Sequence, residues 1–262
     1  MTWEGKFRAP LYDQAGQEKA AAAVVWLGKV PVEMPTGVAA AAPNNSDVLA
    51  TIERDGVVPV FNDADVDITK QVARCIVAGG LSTFEFTNRG EDALEVFAEF
   101  ITWAGVELPD LIVGVGTVTE PVAAEQAIDL GAGFVFAPSL SSAVAAVCSS
   151  RDVPYVPGCG TVTEIQTAYE LGCHMVKLFP ADSLGGPAFL NAVRAPCPWV
   201  RAIPTGGVEP TVASMEPWFD AGAPAVGIGS KLLPKDLVAA GDWDAIEQRI
   251  AAAVAAVEQA RT

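Results

Sequence analysis

Histidine occurs once in this chain, at position 174. That excludes a histidine-rich metal site and any scheme that needs several imidazoles, and it leaves acid–base work to Lys, Glu, Asp, Thr or Tyr. Cysteine is little better placed. Cys75, Cys148, Cys159, Cys173 and Cys197 are odd in number and form no C-x-x-C pair, which argues against a disulfide framework and against structural zinc. Positive charge is also short, with 16 Lys and Arg against 32 Asp and Glu and a net charge of −16. Such a chain is a poor partner for nucleic acid or an anionic membrane surface. Gly and Pro interrupt every apolar run before it reaches the roughly 18 residues of a membrane span. The N-terminus shows no basic stretch followed by an apolar core and a cleavage site, so a soluble cytoplasmic protein is the expectation. No G-x-G-x-x-G opens the first regular helix, which weakens a dinucleotide-binding sheet.

What is present is 262 residues, 51% hydrophobic, enough for one large α/β domain or two small ones. Residues 1–45 carry no sustained pattern. An Ala/Val-rich stretch from Lys19 to Leu27 reads as a short helix and is followed by Pro31, Pro35 and Ala39–Ala42. This part reads as an extension, poorly ordered or loosely docked. From residue 46 the chain becomes regular. Ser46-Asp47 caps a helix to about Arg54. Strands are then predicted at Val57–Phe61, Thr83–Thr87, Leu111–Thr117, Phe134–Pro138, Tyr155–Pro157, Met175–Phe179, Arg201–Pro204 and Ala225–Gly229. Helices are predicted between them and from about Asp242 to Gln259, with Gly79-Gly80, Gly105, Gly131, Gly172 and Gly222 at helix exits.

Strands that alternate with helices pair in parallel through right-handed crossovers. Eight such units over 46–262 have the size of a (β/α)8 TIM barrel, here with an N-terminal helix cap and an irregular N-terminal extension. An open doubly wound sheet is the alternative.

One residue breaks the apolar strands. Lys177 sits in His174-Met-Val-Lys-Leu-Phe-Pro-Ala181, and an ammonium buried there must be paired, neutral or chemically employed. Glu85, between Phe84 and Phe86, points inward if the two phenylalanines pack outward on helices. A Glu–Lys ion pair that only fills the barrel is the plain reading, but further polar groups gather at the same strand ends. These are Arg89, Thr117 and the loops Thr205-Gly206-Gly207 and Gly227-Ile-Gly-Ser230. A lysine amine in a dry pocket is readily kept neutral, attacks a ketone and forms a Schiff base that stabilises a neighbouring carbanion. Glu85 is then the proton shuttle. The glycine loops after the last two strands expose backbone N–H groups of the kind that hold phosphate, which an acidic protein needs. Cys159 lies near the rim as a reactive thiol or a packing residue, and His174 falls on the opposite side of the barrel.

The ordered set Glu85…Arg89, Gly114-x-Gly-Thr-Val118, Pro157-Gly-x-x-Thr-x-x-Glu164, Lys177-Leu-Phe-Pro-Ala181, Pro204-Thr-Gly-Gly207 and Gly229-Ser230 resembles the 2-keto-3-deoxy-6-phosphogluconate (KDPG)/4-hydroxy-2-oxoglutarate (KHG) aldolases, class I pyruvate aldolases. The resemblance runs from about Asp47 to Gly241. It implies a Schiff-base lysine at Lys177 and an acid/base glutamate at Glu85. It implies contacts to substrate carboxylate and hydroxyl from Arg89 and Thr117, with Pro138 lining the pocket and Thr161 near the lysine. Phosphate would lie on Gly206, Gly207 and Ser230, with Thr205 close by. It further implies a small 2-keto acid substrate, no metal, no other cofactor and a homotrimer. Two departures lie near the pocket. Thr87-Asn-Arg-Gly90 replaces the usual Thr-Leu-Arg-Thr, and Leu178 follows the lysine where Phe is common. A phosphate-binding isomerase or synthase, with Lys177 only ion-paired, and a non-catalytic ligand sensor are the other readings.

Overall fold

A computed structural model describes residues 24–27, 30–33 and 45–262 of the chain. The chain divides into two units, residues 1–40 and 41–262. In the first, β1 (Val24–Leu27) pairs antiparallel with β2 (Val30–Glu33), Val24 opposite Glu33. This corrects the helix expected through Leu27. Val-Val-Trp-Leu and Val-Pro-Val-Glu are rich in β-branched residues, and only two residues separate them, the spacing of a hairpin. The other landmarks of this region, among them Lys19–Ala23, Pro35 and Ala39–Ala42, lie outside the described residues.

The second unit opens with α1 (Asn45–Asp55) and then alternates. Its strands are β3 (Val57–Phe61), β4 (Thr83–Thr87), β5 (Ile112–Gly116), β6 (Val135–Phe136), β7 (Tyr155–Val156), β8 (Gly158–Cys159), β9 (Val176–Leu178), β10 (Ala202–Pro204) and β11 (Val226–Ile228). Its later helices are α2 (Val66–Ala78), α3 (Ala93–Glu107), α4 (Pro121–Asp129), α5 (Ser142–Ser150), α6 (Val162–Glu170), α7 (Pro187–Arg194), α8 (Val212–Asp220), α9 (Lys235–Ala240) and α10 (Trp243–Ala260). Every strand of this unit pairs in parallel. One curled sheet has the order β11-β3-β4-β5-β6-β7, and the other the order β10-β9-β8. An isolated parallel bridge, Thr205 to Gly227, joins β10 to β11.

Local chemistry explains most boundaries. Asp65 caps α2 by accepting from the Asp67 N–H (2.9 Å), Ser141 caps α5, and Pro121 opens α4. Two expectations need correction. The single strand at Tyr155–Pro157 is two short strands flanking Pro157, which has no N–H to give a ladder and instead accepts from the Lys177 N–H (2.8 Å). Gly105 does not end α3. The helix continues to Glu107, because one interior glycine costs only about 1 kcal/mol and the hydrogen-bonded turns persist past it. The structure adds the short α9 and a 3-10 turn at Asp182–Leu184 to the expected elements.

The core has two layers. Val48, Leu49 and Ile52 of α1 join Val58, Phe134, Phe136, Val156, Met175, Ile203 and Ala225 in one buried cluster. Because Met175 and Ala225 lie just before their strands, α1 covers the N-terminal ends of the sheet and leaves the C-terminal ends open. Outside the strands, Phe84 meets Phe100 edge-on (5.4 Å) and Phe86 packs on Phe97 (5.5 Å), both against α3. Among the described residues no helix is long and apolar enough to cross a membrane.

Candidate active site

The outward packing of Phe84 and Phe86 settles the direction of Glu85. It points inward and is 1% exposed, and Lys177, inward from β9, is 6% exposed. The amine of Lys177 donates to Glu85 Oε1 at 3.5 Å. That is long for an ammonium–carboxylate contact, which closes to about 2.7–2.9 Å when the pair is a finished bond. The second oxygen, Oε2, is buried with no hydrogen-bond partner among the described residues. A purely structural ion pair requires good geometry and satisfied lone pairs to offset desolvation, and this pair has neither. Its open oxygen and loose contact leave room for another reacting group.

Two aromatic rings complete the amine's surroundings. Lys177 Nζ lies 5.6 Å from the centre of Phe136 and 5.5 Å from that of Phe179. Phe179 belongs to the motif that follows the lysine, and the sequence gives Phe136 no role. On β5, Gly116 makes the site possible in another way, since a Cβ there would stand 1.9 Å from Glu85 Oε1. The next residue, Thr117, has φ +62°, rare for a β-branched residue. Ladder bonds on both sides hold it there, Val115 N–H to Phe134 O (2.9 Å) and Val118 N–H to Phe136 O (3.2 Å). Such strain, of order 1–3 kcal/mol, concentrates at working sites. Arg89, just beyond β4 and exposed, donates from Nε to Thr117 Oγ1 at 3.4 Å.

The remaining expected residues fall into two groups. Thr205 is buried, its hydroxyl lacks a partner, and a Cβ on Gly227 would collide with it at 2.4 Å. Gly206 and Gly207 follow with φ of +97° and +86°, and Ser230 lies exposed beyond β11. The loop is tied to the exit of the lysine strand by Ala181 N–H to Thr205 O (2.9 Å) and Asp182 N–H to Gly206 O (3.2 Å). Pro138, half-buried past β6, presses its carbonyl where a Cβ of Gly158 would be, 2.1 Å away. Thr161 is different. Its hydroxyl caps α6, accepting from the Glu164 N–H (3.2 Å) and donating to Glu164 Oε2 (2.9 Å). Cys159 is 2% exposed, and burial pushes its thiol up to about 12, so it is a packing residue and no nucleophile. His174 is exposed on the opposite face, beside Asn45 and Arg201. Among the described residues no three His, Cys, Asp or Glu side chains gather as a metal site.

A buried amine and a half-free carboxylate at the open strand ends of a parallel α/β sheet define a site for carbonyl chemistry. The comparisons agree. The family model for KDPG and KHG aldolase matches residues 48–249, and the chain belongs to that family. A Treponema pallidum protein named 2-dehydro-3-deoxy-phosphogluconate aldolase is 34% identical over 199 residues, 76% of this chain and 92% of its own. The Escherichia coli KHG/KDPG aldolase is 33% identical over 190 residues, covering 72% and 86%. Among solved structures, the Legionella pneumophila KDPG aldolase with pyruvate captured as a covalent carbinolamine superposes with TM-score 0.69. It is 26% identical, with 78% of this chain and 96% of that one covered.

Proposed function

We propose that this chain is a class I aldolase, a carbon–carbon lyase that cleaves 2-keto-3-deoxy-6-phosphogluconate to pyruvate and glyceraldehyde 3-phosphate, or 4-hydroxy-2-oxoglutarate to pyruvate and glyoxylate. The observation that carries this reading is the 3.5 Å contact of Lys177 Nζ with a Glu85 whose second oxygen is unused. Glu85 takes a proton from the Lys177 ammonium, the free amine attacks the C2 ketone, and a second nitrogen proton passes to the ketone oxygen to give a carbinolamine. Glu85 returns a proton to the departing water, and the iminium forms. Glu85 then takes the C4 hydroxyl proton, the C3–C4 bond breaks with its electron pair drawn into the iminium, and the aldehyde leaves. The enamine is protonated at C3 and hydrolysed, releasing pyruvate and restoring the amine.

In this reading Arg89 and Thr117 hold the keto-acid carboxylate, and Pro138 walls the pocket. Thr161, through its cap with Glu164, shapes the rim next to Cys159. Backbone N–H groups of Gly206 and Gly207, with Thr205 and Ser230, take the phosphate. The two curled sheets form one closed (β/α)8 barrel. What supports closure is the Thr205–Gly227 bridge at one seam and the single residue, Pro157, between β7 and β8 at the other. The homotrimer and the cytoplasmic location belong to the same proposal.

Borohydride added with pyruvate traps one adduct, on Lys177, and Lys177→Ala abolishes it. A wild-type chain that gives no adduct, or a Lys177→Ala chain that still gives one, overturns the reading.

A further inference from the structure

The exit of β3 also reaches the rim of the site. Asn62, one residue beyond β3, is half-buried and uses both ends of its amide. Its Nδ2 donates to the Arg89 carbonyl at 3.1 Å, and its Oδ1 accepts from the Thr87 hydroxyl at 2.7 Å. The orientation is fixed by chemistry. A carbonyl oxygen can only accept, so the NH2 must face Arg89, which leaves Oδ1 for the hydroxyl. The loop it holds has few other restraints. Asn88 N–H donates to Gly116 O (2.8 Å), and Arg89 N–H turns back to Thr87 O (2.9 Å). Gly90 follows with φ +108° and open space around it. Arg89 thus stands on a tight turn followed by a glycine, and among the described residues its side chain makes one hydrogen bond, to Thr117 at 3.4 Å.

We propose that Asn62, oriented by Thr87, is the positioning residue that aims Arg89 at the substrate carboxylate; this rests on the reading of Arg89 as the carboxylate contact. Asn62 does not touch the reacting carbons. It fixes the backbone from which the guanidinium reaches, so it governs how tightly the keto acid is held and not how fast the bound ketone reacts. The Thr87–Asn62–Arg89 relay also spans two adjacent strands, so the exits of β3 and β4 keep a constant separation on the side where the carboxylate binds.

The test is borohydride trapping of pyruvate on Lys177, read as the half-saturating pyruvate concentration and the trapping rate at saturation. Asn62→Ala raises the half-saturating concentration roughly 3- to 10-fold, the weight of one neutral hydrogen bond, with the saturated rate changed less than about twofold. Thr87→Val, which keeps its shape and loses its hydroxyl, shifts in the same direction. The double variant is no worse than Asn62→Ala, because both substitutions cut one relay. Arg89→Ala raises the concentration roughly 10- to 100-fold, as loss of a charged contact does. If Arg89→Ala shifts it and both Asn62→Ala and Thr87→Val do not, the positioning role is wrong and the Arg89 reading stands. Single effects that multiply in the double variant also refute the relay. If Arg89→Ala has no effect, the carboxylate reading fails and takes this one with it, and absence of any adduct removes both.

Discussion

Two carboxylates are buried along the same sheet, one at its N-terminal edge and one further along β4. Asp55, where α1 gives way to β3, is 8% exposed and Glu85 is 1% exposed. Asp55 accepts from the Ser82 N–H (2.7 Å), the Thr83 hydroxyl (3.1 Å) and the Arg54 guanidinium (2.9 Å). Glu85 has one long contact and an orphaned oxygen. Burial alone does not separate structural from working charges; saturation does. A carboxylate whose lone pairs are filled by its own fold has nothing left to offer a substrate, and one left short can bind and move a proton. The same contrast holds around each group. Asp55 is met by regular backbone, and Glu85 lies against Gly116, whose missing Cβ leaves room for it, with the strained Thr117 next in the chain.

Exchanging the two groups' chemistry gives the largest expected difference. Glu85→Gln lowers kcat about 10²- to 10⁴-fold, the contribution of a positioned acid–base group, with the fold retained by circular dichroism. Equal activity of Glu85→Gln and wild type would reduce Glu85 to the rank of Asp55. Gly116→Ala is next, since its Cβ would stand 1.9 Å from Glu85 Oε1 and the carboxylate must turn away. A displacement of that order costs about 10²-fold in kcat/KM. Steady-state kinetics showing less than a threefold loss would mean the carboxylate is not held where the geometry puts it. Asp55→Ala has the inverse profile. Activity per folded molecule is unchanged, and denaturant melts show about 2–4 kcal/mol lost, from one buried and one half-buried donor left unpaired. The smallest effect belongs to a third carboxylate at the rim. The Gly160 N–H and then the Thr161 hydroxyl hold Glu164 below its ordinary 4.5. Its stabilisation is therefore present above 4.5 and lost as pH falls through the lower folded value. Thermal melts of Glu164→Gln against wild type converge in acid and separate near neutrality, and parallel curves would refute the cap.

The strands and the buried Lys177–Glu85 pair are legible because both rest on short-range rules. Phe84 and Phe86 flanking Glu85 fix its face by alternation, and a lone lysine among apolar residues announces itself. What was not legible depends on distance. Phe136 belongs to a two-residue strand, where alternation has nothing to repeat. Gly116 falls inside the strand expected at Leu111–Thr117, and its lack of a side chain has no meaning until the carboxylate beside it is located in space. Asn62 is an ordinary polar residue at a strand exit, and only the neighbouring Thr87 and the Arg89 carbonyl give it a role. Pro157 read as a strand end, although the chain resumes pairing one residue later. In the first unit the hairpin was hidden behind the alanines that precede it, which favour the helix expected there.

The main chain of Lys177 pairs with Gly158 on one side and Ile203 on the other, and its N–H is held by the Pro157 carbonyl at 2.8 Å. For the proposed chemistry this has a mechanical consequence. The nitrogen must change from tetrahedral to planar and back while bonded to a moving carbon, and the strand beneath it cannot follow. The whole excursion is taken up by rotations about the four methylenes of one side chain, a travel of a few ångströms on the timescale of rotamer exchange. Shortening that arm while keeping its amine would therefore stall the reaction without disturbing a single strand.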